Sequence, residues 1–175
     1  HSAKDVPGDL LPGVDWVWLP WGEDARDAWV LPPGRTLSDL PAAPRIGVSS
    51  DRRQTYAEQC YPQARELPIR GNIEARLAQL DRGAFDAVIM AGAALLRLGL
   101  SDRITQWIAL DALPTPEGQG RLCMTFRASD PRALRLRSLF VKTVSFVSAG
   151  AGSAELCTVA GIRALQRCDI CLHDT

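Results

Sequence analysis

The sequence predicts an α/β protein whose parallel strands lie between helices. Three features carry that prediction. Residues 45–54 read as a short buried strand, with Ile46 and Val48 as its apolar positions, running directly into a helix. Residues 73–81 place Ile73, Leu77 and Leu80 on one helical face. Residues 84–91 form an apolar run interrupted only by Asp86, the pattern of a central strand buried on both faces. A helix over 93–98 follows, with Gly99 at its end. Helices alternating with strands in this order imply parallel pairing and helical layers.

In chain order, the first informative segment is His-Ser-Ala-Lys-Asp-Val-Pro at 1–7. Taken alone, Lys4 and Asp5 before a Pro-Gly turn read as a surface ion pair. Residues 14–19 are strand-like, with Trp16 and Trp18 on one face. That pair either stacks on an aromatic ligand or packs into a core. Leu-Pro-Pro-Gly at 31–34 breaks the strand before it, and 36–40 is a short helical turn. The helix over 52–60 stops near Pro62, and Gly83 ends the helix over 73–81.

The corner near residue 50 is the candidate site. Ser49, Ser50 or Asp51 can cap the helix by accepting its free amides. A strand feeding a helix N-terminus is a natural anion site. Arg52 and Arg53 oppose the dipole of that first turn, so an anionic partner is expected. Arg70 stands beside Gly71 on a loop, and Arg76 lies one turn into the next helix. The alternative is that these arginines pair on the surface with Asp51, Glu58, Glu74 and Asp81.

Formal net charge is zero over 175 residues, so no global field favours nucleic acid or an anionic membrane. No window reaches the roughly 18 to 20 apolar residues of a membrane span, and no signal peptide opens the chain. Five cysteines without a framework spacing suit a reducing cytoplasm. The first residue is His1 rather than Met, and a piece of a longer protein is expected.

Several of these motifs resemble hydroxymethylbilane synthase (porphobilinogen deaminase). They are Gly-Val-Ser-Ser-Asp-Arg-Arg at 47–53, Ile-Arg-Gly-Asn-Ile-Glu-Ala-Arg at 69–76, Phe-Asp-Ala-Val-Ile-Met-Ala at 85–91 and Leu-Arg-Leu-Gly-Leu at 96–100. Residues 1–7 and the acidic turn and strand over 23–30 are also similar to that family, as is 114–120, apart from a one-residue insertion near Glu117. The resemblance implies a type II periplasmic-binding-protein-like mixed sheet with helices on both faces. Residues 1–23 would end a first domain and cross over, 24–115 would form the second domain, and 116–143 would return and link. The crossing strands would be shared with a domain largely absent, leaving exposed apolar edges.

By that resemblance Asp5 is catalytic, stabilising positive charge on a pyrrole nitrogen and shuttling protons. Lys4, Ser49, Ser50, Arg52, Arg53, Arg70, Gly71 and Arg76 would bind carboxylates of substrate and cofactor. The family joins four porphobilinogens head to tail with loss of ammonia. It uses a dipyrromethane cofactor held by a cysteine thioether, and no residue here matches that cysteine. A monomer is expected, with porphobilinogen and polypyrrole as its ligands and no metal, nucleic acid or membrane.

Residues 132–142 read as a short basic helix. Residues 144–175 then resemble the start of uroporphyrinogen-III C-methyltransferase, a partial β-loop-α-β unit. Its Gly-rich loop, with Ala149, Gly150 and Gly152, would lie against S-adenosylmethionine. Ser148 and Ala151 stand where that family commonly has Gly and Pro. Cys157, Cys168, Cys171 and His173 suggest zinc, but strand alternation sends Cys171 and His173 to one face and the residues between them elsewhere. Three readings stay open: the synthase fused to a methyltransferase, a methyltransferase with a degenerate deaminase remnant, and a non-catalytic anion-binding module.

Overall fold

The computed structural model describes residues 1–6, 11–141, 147 and 158–166. The chain divides into two units, His1–Phe140 and Val141–Thr175.

The first unit is built on a mixed sheet, with α-helices packed on it. Its elements are β1 (Val14–Gly22), β2 (Asp27–Val30), β3 (Arg45–Val48), α1 (Asp51–Cys60), β4 (Arg65–Pro68), α2 (Ile73–Asp81), β5 (Ala87–Ala91), α3 (Gly92–Arg97), β6 (Gln106–Trp107), β7 (Arg121–Arg127) and α4 (Pro131–Phe140). Five strands pair in the order β4-β3-β5-β2-β6. Strands β4, β3 and β5 run parallel, as their helical connections demand. Strand β2 is antiparallel to both β5 and β6. The apolar run over 84–91 becomes β5, the middle strand of the sheet, with Ala87, Val88, Ile89 and Met90 all buried.

Alternation along β5 sorts the core into two layers. Ala87 and Ile89 join Trp29 and Ala57 of α1 on one face. Val88 and Met90 join Val30, Leu77 and Leu80 of α2, and Leu95 of α3 on the other. Asp86, which opens this strand, accepts from the Arg45 backbone amide and guanidinium, tying the starts of β3 and β5 together.

Two elements of this sheet have no clear signature in the sequence. Strand β4, Arg-Glu-Leu-Pro, carries charge and proline because it lies at the edge of the sheet. Strand β6 has only two residues.

Strands β1 and β7 pair antiparallel with each other as a separate two-stranded sheet. The rings of Trp16 and Trp18 lie 5.8 Å apart, both half-buried. Helix α4 packs against β1, with the Phe140 ring edge-on to Trp21 and Arg137 within 3.5 Å of Asp15.

In the second unit one helix is described, α5 (Val159–Leu165), whose Thr158 hydroxyl accepts from the Gly161 amide. No helix among the described residues is long and apolar enough to cross a membrane.

Candidate functional site

The parallel strands β3 and β5 end on the same side of the sheet, and α1 and α3 start there. Ligands in such sheets bind beyond the strands' carboxyl ends. A cleft of about 310 Å³ lies at this edge. Met90, Ala91 and Ala93 give it an apolar floor. Charged groups reach it from four directions. A 3-10 turn (Ala3–Asp5) supplies Lys4 and Asp5, the first turn of α1 supplies Arg53, the first turn of α2 supplies Arg76, and the last residue of α3 supplies Arg97. The segment leading into β7 closes the cleft with Gln119 and Gly120.

Of the residues expected from the sequence, Lys4, Asp5, Arg53, Gly71 and Arg76 line this one cleft. Ser49 lies behind it, its hydroxyl accepting from Arg53 Nη1 at 2.9 Å and Arg76 Nη1 at 3.2 Å. Ser50 occupies the N-cap position of α1 but makes no side-chain capping bond, so the expected hydroxyl cap is not formed. The Arg76 guanidinium is also anchored through Nε to the Gly71 carbonyl. Arg70 is exposed, and among the described residues only its backbone carbonyl is held, by Gln79. Arg52 is not among the cleft-lining residues and donates to the Pro114 carbonyl at 3.0 Å. The methyltransferase-loop residues Ala149, Gly150 and Gly152, and the cysteine and histidine set of 157–173, lie outside the described residues.

The anion expected beside Arg52 and Arg53 is internal. Asp27, the first residue of β2, has no exposed surface. Its Oδ1 accepts from Arg53 Nη2 at 2.8 Å and from Gln119 Nε2 at 2.9 Å, and its Oδ2 accepts from Arg52 Nη2. Burial alone would push this carboxyl up, but the hydrogen bonds and charges of Arg53 and then Arg52 outweigh it and hold Asp27 below the usual carboxylate range. Among the described residues none of the surface carboxylates Asp51, Glu58, Glu74 and Asp81 forms an ion pair with these arginines. Asp81 pairs with Arg103, and Glu58 accepts from Gln54.

Gln119 links this ion cluster to the first segment. Its Nε2 also donates to the Ala25 carbonyl at 2.6 Å, which leaves Oε1 to accept from Lys4 Nζ at 3.4 Å. Burial, followed by the charge of Arg53, lowers the Lys4 pKa from its ordinary value. Burial and the neighbouring Arg53 and Arg70 likewise lower that of Arg76. Lys4 and Arg76 are thus partly desolvated cations crowded by like charge, and a bound anion would relieve both.

Asp27, Arg97 and Gln119 were missed in the sequence. Asp27 left one trace, a carboxylate opening an otherwise apolar four-residue strand. Gln119 sits within Gly-Gln-Gly, and Arg97 within a motif already noted for resemblance. Among the described residues no group of three or more His, Cys, Asp or Glu side chains could hold a metal ion. Cys60 is exposed at the end of α1 and Cys123 is buried on β7, and neither lines the cleft.

Residues 1–135 match the family model described as "Porphobilinogen deaminase, dipyromethane cofactor binding domain". A porphobilinogen deaminase of Roseiflexus castenholzii is 42% identical over 78% of this chain and 45% of its own length. One of Caulobacter vibrioides is 37% identical over 94% of this chain and 53% of its own. This chain spans about half the length of the curated relatives it matches. Among solved structures, an arginine-specific periplasmic binding protein of Salmonella typhimurium aligns over 69% of this chain and 55% of its own at 16% identity, with a TM-score of 0.42. With a family model covering well over half of its residues, the chain belongs to the porphobilinogen deaminase family.

Proposed function

We infer that the protein of which this chain is part is a hydroxymethylbilane synthase, joining porphobilinogen units head to tail with loss of ammonia in tetrapyrrole biosynthesis. The observation that carries the reading is the cleft, where Lys4, Arg53, Arg76 and Arg97 converge around a single carboxylate, Asp5. Porphobilinogen carries two carboxylates, and an elongating polypyrrole accumulates them. Arginine forks match such groups in a planar, two-pronged way. Arg53 is nine-tenths buried, and its Nε, itself buried, has no acceptor among the described residues. Asp5 is exposed at the cleft and can accept a pyrrole N–H, stabilise positive charge there and hold a proton in transit.

The dipyrromethane cofactor, when bound, supplies the primer from which the polypyrrole grows. The cationic cleft suits its carboxylates, and Lys4, Arg53, Arg76 and Arg97 are the residues to hold them. Neither described cysteine is placed at the cleft to anchor it. Arg52 and Arg70 stand beside this cleft, Arg70 adding its charge next to Arg76 and Arg52 holding Asp27.

The test is porphobilinogen consumption and ammonia release by the full-length parent. Asp5→Ala should lose turnover by at least ~100-fold while still binding substrate. Unchanged turnover in that variant would remove Asp5 from the chemistry. A cytoplasmic enzyme follows from this reading.

For residues 144–175 the reading is the opening of a tetrapyrrole methyltransferase. It is supported by the resemblance of residues 144–175 to the start of that family. The Caulobacter match, which covers 94% of the chain, extends beyond residue 135 and favours the alternative, a continuation of the deaminase. Binding of S-adenosylmethionine by the parent separates the two.

A further inference from the structure

Arg53 is the most buried cation of the cleft, and it is already engaged. Its Nη1 donates to Ser49 and its Nη2 to Asp27. Both two-pronged edges of a guanidinium run through Nη2. That nitrogen carries one hydrogen for each edge, so Asp27 closes one of the two edges to a ligand carboxylate. Only Nε is without an acceptor among the described residues.

Asp27 itself is well satisfied. Arg52 and Gln119 hold it from two further sides, and both can remain if Arg53 turns away. We propose that Asp27 is a positioning residue that withholds Arg53, setting the cleft's affinity by competing with ligand carboxylates for its guanidinium. The device keeps a buried arginine paired while the cleft is empty, since an unpaired buried charge is strongly destabilising. It also weakens ground-state binding by the cost of breaking the Asp27 contact, so that a growing polycarboxylate can move through the cleft.

This inference rests on the carboxylate-binding reading of the cleft. A merely structural Asp27 predicts that its loss disorders Arg53 and weakens binding. The competing role predicts the opposite sign. The test compares the 175-residue chain with Asp27→Asn and with the double variant Asp27→Asn/Arg52→Gln. The double variant leaves the site's net charge unchanged and removes both members of an ion pair, which is milder than removing one. The probe is porphobilinogen, and the readout is the ligand-induced rise in melting temperature, which reports affinity even for a partly unfolded variant.

The expected result is that both variants bind porphobilinogen on the order of fivefold more tightly than the parent sequence, although Asp27→Asn melts lower without ligand. Equal or weaker binding by the double variant overturns the proposal while leaving the carboxylate reading intact. No response from any of the three chains overturns both. Binding by the variants alone supports the proposal, with Arg53 fully withheld in the parent sequence.

Discussion

Asp86 shows how one residue can be legible in kind but not in role. In the sequence it interrupts an apolar run; in the fold it fastens two strand starts through Arg45. The Arg45 side-chain hydrogen bonds lead the causes that hold Asp86 below the usual carboxylate range. A depressed carboxylate contributes stability that is present above its unfolded pKa, about 3.9, and is lost as pH falls through the folded value. Asp86→Asn should therefore melt lower than the parent at pH 7, with the difference shrinking as pH falls below about 4. A gap that stays constant across that range would show that the charge is not what Asp86 contributes. Asp27 follows the same sign rule, but the sequence offered no means of pairing it. Its partners lie 25, 26 and 92 residues away along the chain.

At the scale of elements, α2 was readable because its signals are local. Asn72 accepts from the Ala75 amide at 2.8 Å, an N-cap bond within four residues. Asn72→Ala should cost about 1 kcal/mol in denaturant unfolding, and it should disturb Arg76, whose amide donates to the Asn72 carbonyl. The segment entering β7 was harder. Gly120 adopts φ +82°, and a Cβ there would lie 2.5 Å from the Glu23 carbonyl oxygen. Its own carbonyl accepts from Arg97 and from the Glu23 amide. Gly120→Ala should destabilise the chain by about 1 to 3 kcal/mol and loosen the Gln119 side of the cleft. Backbone amide shifts of Glu23 and Arg121 would read the second effect. Shifts confined to residue 120 would mean the close approach relaxes without moving the segment. Strands β4 and β6 escaped the sequence for a physical reason. An edge strand need not be apolar on both faces, and a two-residue strand has no period.

At the scale of the whole molecule, the two described cysteines test how far the cleft's chemistry extends. Cys123 is buried on β7, where it pairs with Trp18 of β1, and Cys60 lies at the far end of α1 from Arg53. After incubation of the chain with porphobilinogen, intact-mass spectrometry should find no stable pyrrole adduct on either. An adduct mapped to Cys60 or Cys123 would show that the cleft does not confine the substrate. The sequence by itself determined the α/β class, the helices α1 and α2, the central buried strand and the cationic character of the site. Each is written in local spacing, in apolar periodicity or in residues adjacent along the chain. Only the tertiary structure decided which cations share a cleft and which do not. Arg52 and Arg53 are neighbours in sequence, yet successive helical positions lie about 100° apart. One therefore lines the cleft beside Arg76 while the other reaches Pro114, and both meet on a carboxylate that the strand pairing brings in from β2. Helical geometry separates them and long-range pairing rejoins them, and a linear pattern cannot encode that second step.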